Sequence, residues 1–362
     1  MVSNTTLWDL EPHTKAKHDL LVRYLNAWFP VLSRYRGRIV FLDGFAGPGV
    51  YNTGEPGSPR LALETLLNHS HLMNMSHCEF LFIFNEHHPK RFASLESVVA
   101  DVENDLQLPN NIKVVTSQNN FSILAEDLLG SLRGKNLAPT FAFLDPFGYK
   151  DVPMALIRDL LAFDKCELFI YFDFNSVLRF STAGNVDEHF EQLFGTDEFK
   201  HAPPSGDPRR GEFLRELYER QLTDFCGFPY VQSFQMVNRR GKTGNYLFFC
   251  TRSVKGLSVM KEAMWKVDPS GGYKFSDLLH GQTVLFEPEV DTSPLQHELA
   301  SVFRGQCLSI EDIEEYVVVY TPYCKSHVKR KTLAEMQRRN QISSPNQRTR
   351  NTYPPGTLVQ FN

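Results

Sequence analysis

The sequence has no cysteines at C-x-x-C spacing and no Cys/His grouping suited to zinc. Its six cysteines (78, 166, 226, 250, 307 and 324) are scattered along the chain. That pattern gives neither a disulfide framework nor a metal site, and reads as buried thiols in a reducing cytosol. No apolar run approaches the ~20 residues that a membrane helix needs. The opening Met-Val-Ser-Asn-Thr-Thr has neither the basic start nor the apolar core of a secretory leader, so a cytoplasmic protein without a membrane partner is expected. G-x-G-x-x-G and a Gly-Lys-Ser/Thr phosphate loop are also missing, which removes the dinucleotide-fold and P-loop readings. The net charge of −4 argues against a nucleic-acid binder as a whole, but the charge is uneven. Between Thr321 and Arg350 stand Lys325, Lys329, Arg330, Lys331, Arg338, Arg339, Arg348 and Arg350 against the single acid Glu335. A basic stretch on an acidic body is the footprint of a module that meets a polyanion.

What is present is organised around Ile39-Val-Phe-Leu-Asp-Gly-Phe-Ala-Gly-Pro-Gly49. Four apolar residues predict a buried strand, Asp43 closes it, and Gly44, Gly47 and Gly49 predict a tight turn. Helical sequence resumes near Arg60. A strand, a glycine-rich turn and a helix form the first unit of a doubly wound α/β fold, with the glycines letting a cofactor approach the backbone. The D-x-F-A-G-x-G spacing resembles motif I of class I S-adenosylmethionine (SAM) methyltransferases.

Upstream, apolar residues Leu21, Tyr24, Leu25, Trp28 and Leu32 recur at helical spacing, with Thr14 as the expected N-cap and His18 one turn in. Downstream, further strands are predicted at 78–84, ending at Asn85-Glu86, and at 112–116, leading to Asn119-Asn-Phe121. A fourth at 140–144 runs into Asp145-Pro-Phe-Gly148, and a fifth covers 167–173. A carboxylate such as Glu86 can accept two hydrogen bonds from ribose hydroxyls. The Asp145-Pro-Phe turn resembles the D-P-P-Y/F turn of methyltransferases that act on exocyclic amino groups, and its chemistry suits transfer to an aromatic amine, whose lone pair is delocalised. Asp145 and the Pro146 carbonyl can accept its two N–H groups while Phe147 clamps the base, which must leave its stack. Residues 180–225 read as a substrate-side insertion, and 230–237 and 245–251 as antiparallel strands that finish the sheet. The first domain is expected to span 1–275. Over 276–362, two helices (the second capped by Ser309 and Asp312), a basic helix at 325–340 and a terminal strand have the order of a winged helix. Lys325, Lys329, Arg330, Lys331, Arg338 and Arg339 would neutralise phosphates.

Together these stretches resemble the bacterial 23S ribosomal RNA adenine-N6 methyltransferases with an N-terminal K-H motif, and more closely the three-Cys-motif partner proteins. The carriers are Lys17-His18, Asp43-Gly-Phe-Ala-Gly-Pro-Gly-Val-Tyr51, Gly57-Ser-Pro59, Glu86-His-His-Pro89, Asn119-Asn-Phe121 and Asp145-Pro-Phe-Gly148, in the family's order. The resemblance implies a Rossmann-like class I SAM methyltransferase sheet with a small winged-helix-like domain. It implies SAM contacts from His18, Asp43, Gly44, Phe45, Gly47, Gly49, Ser58, Glu86, Asn119, Asn120 and Asp145, with Asp145, Pro146 and Phe147 at the target amine. It also implies a three-Cys-motif, radical-SAM-like partner. Phe45 stands where the first family has a cofactor-contacting His, Asn119-Asn120 replaces a D-G pair, and D-P-P-Y has become Asp-Pro-Phe-Gly. The expected function is therefore methylation of an exocyclic amine on a nucleic-acid base. The alternatives are a catalytically silent partner or adaptor of the same fold, and a methyltransferase for small molecules or proteins.

Overall fold

A computed structural model describes residues 6–34, 37–132, 137–163, 165–181, 187–238, 240–269, 272–276 and 290–362. These divide into two compact units, 6–253 with 275–276, and 254–274 with 290–362.

In chain order the first unit contains α1 (Pro12–Leu32), β1 (Arg38–Asp43), α2 (Ser58–Leu67), β2 (Glu79–Asn85), α3 (Pro89–Leu106), β3 (Ile112–Ser117), α4 (Phe121–Leu132) and β4 (Thr140–Leu144). There follow α5 (Met154–Leu160), β5 (Glu167–Phe172), α6 (Phe174–Phe180), α7 (Asp187–Phe194), α8 (Arg209–Arg220), β6 (Tyr230–Val237) and β7 (Thr243–Thr251). The second unit takes α9 (Val254–Val267), and the three-residue β8 (Lys274–Ser276) comes next in the chain. The eight-stranded sheet has the order β3-β2-β1-β4-β5-β7-β6-β8. Strands β1 to β5 pair in parallel, while β7 runs antiparallel to β5 and to β6. The strand order reverses between β1 and β4, and the carboxyl ends of strands at such a switch point form a natural crevice.

The strands read as nearly unbroken apolar runs because helices cover both sheet faces. On one face Phe41, Phe82, Phe141 and Phe169 interlock with Tyr24 and Phe29 of α1, and Phe41 stacks on Phe141 at 6.1 Å. On the other, Val40, Leu42, Ile83, Leu144, Leu168 and Ile170 meet residues of α4, α5, α7 and α8. One polar knot crosses this core. Glu167 is buried and accepts the Tyr24 hydroxyl at 2.7 Å and the Thr251 hydroxyl at 2.6 Å, tying α1, β5 and β7 together.

Helix α1 begins at Pro12, with Glu11 as its cap residue. Thr14, the expected cap, lies inside the first turn, because Pro12 needs no N–H bond and can open a helix earlier. Residues 182–186 of the expected insertion lie outside the described residues, as do 277–289 just past the expected boundary at 275.

The second unit builds its core from α9, α10 (Ser293–Val302), β9 (Cys307–Ser309), α11 (Ile310–Tyr320) and a helical stretch. That stretch runs through α12 (Lys325–His327), a wider-wound turn (Val328–Leu333) and α13 (Ala334–Arg338). Strands β10 (Ile342–Ser343) and β11 (Leu358–Phe361) complete an antiparallel sheet of order β10-β11-β9. Ser309 and Asp312 form a reciprocal cap on α11, as expected. Helix α9, assigned from the sequence to the first domain, packs here instead. Its Trp265 joins the core with Leu295, Ile313, Val317 and Tyr323, and its buried Lys261 donates to the Val318 and Thr321 carbonyls at the end of α11. Five cysteines are buried as expected, whereas Cys307 is exposed on the edge strand β9.

Candidate functional site

A cavity of about 580 Å³ lies at the carboxyl ends of β1, β4 and β5, closed by the segment before α1 and by the loop after β1. Its size falls within the ~300–1,000 Å³ range of small-molecule sites. Expected residues His18, Phe45, Gly47, Gly49, Ser58, Asp145, Pro146 and Phe147 all line it.

The floor is built by the glycine turn. Gly47 and Gly49 have φ of +63° and +78°, which a side chain would strain. Asp43 lies beneath, fully buried, and accepts the Phe45 N–H at 3.2 Å and the Ser58 hydroxyl at 2.6 Å. Burial outweighs those two bonds and lifts its carboxyl to about 7. His18 is buried, its Nε2 3.5 Å from the Tyr51 hydroxyl, and burial with the adjacent Lys17 charge pushes it down to about 3. The imidazole is therefore neutral at pH 7. A histidine that protonates near 6.5 when unfolded and near 3 when folded favours the unfolded state as pH falls. Folding stability should drop by about 1 kcal/mol per pH unit from this residue between pH 6 and 4. His18→Asn should flatten that slope in urea titrations at several pH values, and an unchanged slope would refute the assignment.

On the far wall, Asp145 is ion-paired with Lys17, which is itself buried and lies 4.9 Å from the Tyr171 ring centre. The Pro146 carbonyl accepts the Gly148 N–H at 3.1 Å. Gly148 has φ of +104°, a conformation in which the tyrosine of D-P-P-Y would be strained. The aromatic of this turn is thus Phe147, 55% exposed and packed edge-on against Trp8 at 5.2 Å.

The remaining expected cofactor residues stand at neighbouring strand ends but do not line this cavity. Glu86, at the end of β2, is buried; its Oε1 accepts the His88 N–H at 2.7 Å and lies 3.4 Å from Arg91 Nε. The Arg91 guanidinium lies over both the Trp8 and Phe147 rings, at 5.5 and 5.2 Å. Asn119 is held by Asn85 and Ser117, while Asn120 is exposed and its carbonyl accepts the Leu124 N–H of α4. Gly44 packs where an added Cβ would meet Leu144 at 2.6 Å, so it serves strand packing.

Sequence reasoning passed over Lys17 as a site residue, although K-H pointed at it, and it passed over Trp8, Arg91, Tyr171 and Asp173. Tyr171 and Asp173 were legible only as the end of a strand, yet both line the cavity.

In the second unit, Lys325 and Lys329 both pair with the buried Glu314, at 2.6 and 3.0 Å, and Arg338 and Arg339 pair with Glu335. Arg330 and Lys331 are exposed on the same helical stretch. Among the described residues, no group of three or more His, Cys, Asp or Glu could hold a metal ion, and no helix is long and apolar enough to cross a membrane. In comparisons with known proteins, no family model matches the chain and no curated protein does.

Proposed function

We propose that the first unit is a SAM-dependent methyltransferase acting on an exocyclic amino group of a nucleic-acid base. The second unit would be a winged-helix module that holds the polymer. The supporting observation is that the glycine turn after β1 and the Asp145-Pro-Phe turn after β4 face one cavity at a switch point. The residues there fit the methionine end of SAM: a floor open at Gly47 and Gly49, the Ser58 hydroxyl, and a neutral His18. SAM supplies an electrophilic methyl group. Asp43 and Ser58 hold the turn in shape, and His18 and Tyr51 offer uncharged hydrogen-bonding groups. Asp145 and the free lone pair of the Pro146 carbonyl accept the amine N–H bonds, and the Asp145 carboxylate takes the proton that nitrogen releases. Phe147 covers the flipped base, and Trp8 and Phe45 exclude water.

The test is calorimetric titration with SAM and S-adenosylhomocysteine. Micromolar binding, about −8 kcal/mol, is expected. It should weaken about tenfold in Ser58→Val through loss of one hydrogen bond. Absence of binding to either ligand would remove the enzyme reading. A second reading rests on the engaged state of the acceptors expected to meet the amine and the ribose. Lys17 occupies Asp145, Gly148 N–H occupies the Pro146 carbonyl, and Arg91 sits on Glu86. It makes the protein a silent methyltransferase-fold adaptor that binds nucleic acid together with a three-Cys-motif protein.

A further inference from the structure

We infer that the first unit has a second ligand site, separate from the cavity at the carboxyl ends of its strands, which takes an unbranched acyl chain with its carboxylate at the mouth. A cavity of about 670 Å³ lies between α4 and the sheet face formed by β2, β1 and β4, and it reaches the amino ends of those strands. It exists because α4 lifts away from the sheet along its length. Phe121, Leu124 and Ala125 in its first turns are buried, whereas Leu128 and Leu132 in its last turns are half-buried and line the opening. Leu81 of β2, with Leu137 and Ala138 ahead of β4, is half-buried in the same space. Leu42, Ile83 and Leu160 close the deep end and are buried. The polar groups of the wall are already engaged. The Thr140 hydroxyl donates to the Ala138 carbonyl at 2.8 Å, and the Ser131 hydroxyl to the Leu128 carbonyl at 2.7 Å. The exposed lining residues Arg38, His77 and Ser131 stand at the strand starts and at the end of α4. His77 Nε2 lies 2.7 Å from the Ser33 carbonyl, and Arg38 pairs with Glu79 at 3.1 Å while its side chain stays 52% exposed.

The volume falls in the range of small-molecule sites. Among the described residues no Phe, Tyr or Trp lines it, so a flat ring finds no face to stack on. Ordered water needs several polar partners, and leucine walls supply none. An aliphatic chain gains from every half-buried leucine that it covers. Arg38 keeps donors beyond the one on Glu79, so a guanidinium at the mouth can also meet a carboxylate head.

The experiment is calorimetric titration of the full chain with octanoate, decanoate and dodecanoate, below their micellar concentrations, and with decanol. Each added methylene should tighten binding about fourfold. Ala138→Phe fills the cavity from a half-buried position, and Ser131→Trp bars it from an exposed one. Each should weaken decanoate about fifteenfold, as if two methylenes were left outside, with the urea midpoint no lower than that of wild type. Arg38→Gln should weaken decanoate about threefold, the size of an exposed charge contact, and leave decanol unchanged. No binding of the acids, affinity that does not rise with chain length, or wild-type affinity in both filling variants would overturn the site. Equal effects of Arg38→Gln on decanoate and decanol would overturn the place of the carboxylate.

Discussion

Asp145→Asn should lower methyl transfer by about three orders of magnitude, roughly 4 kcal/mol of transition-state stabilisation, while SAM binding stays within a few-fold. Asparagine fills the same space and can still accept a hydrogen bond from Lys17, so the buried lysine keeps a partner. What it lacks is the negative charge that stabilises the amine as positive charge builds on its nitrogen, and the basicity to take the proton. Removing one preorganised electrostatic partner of this kind costs about 10²–10³ elsewhere, and the lost proton acceptor adds to it. Single-turnover transfer of labelled methyl groups to mixed single-stranded RNA and DNA measures the effect, with urea midpoints of both proteins as the control for folding. Equal rates in the two proteins would show that Asp145 is bound up by Lys17 for good, and the adaptor reading would take over.

Glu167→Ala should lower the stability of the first unit by about 3 kcal/mol, because two buried hydroxyls, Tyr24 and Thr251, lose their acceptor at once. Glu167→Gln should cost about 1 kcal/mol or less, since an amide oxygen can still accept. Burial raises the Glu167 carboxyl above its ordinary 4.5, so from pH 4.5 up to that raised value the folded state keeps a proton that the unfolded state has released. Its contribution is therefore full below pH 4.5 and is lost as pH rises through the raised folded value. Urea unfolding followed by the fluorescence of Trp28, which packs in the same core, would measure both variants. A Glu167→Ala midpoint equal to that of wild type would mean that the knot contributes nothing.

The parallel sheet was legible because its central strands are buried on both faces and so announce themselves as apolar runs: β4 falls at the expected residues and β5 within one of them. The glycine turn was legible from spacing, since positive φ at Gly47 and Gly49 leaves little choice of residue. Three things were hidden. The allegiance of α9 depends on which core its Trp265 enters, and an amphipathic pattern says only that it enters one. The pairing of Lys325 and Lys329 with Glu314 joins two helices through an acid that reads in sequence as one more charge on a solvated face. Likewise, nothing in the spacing of Trp8, Arg91 and Phe147 announces that they meet, because each comes from a different segment of the first unit.

The placement of α9 has a consequence for descent. The smaller body is not a tail fused behind a finished larger one, because its helix at Val254–Val267 precedes β8, the last strand of the larger sheet. One recombination event near residue 276 would hand a hybrid the new module's helices α10 to α13 with the old module's α9. Lys261 and Trp265 would then face carbonyls and rings they had not been selected with. A junction ahead of Val254 would keep α9 with its own core but would carry β8 of the larger sheet along with it, so no single cut separates the two bodies cleanly.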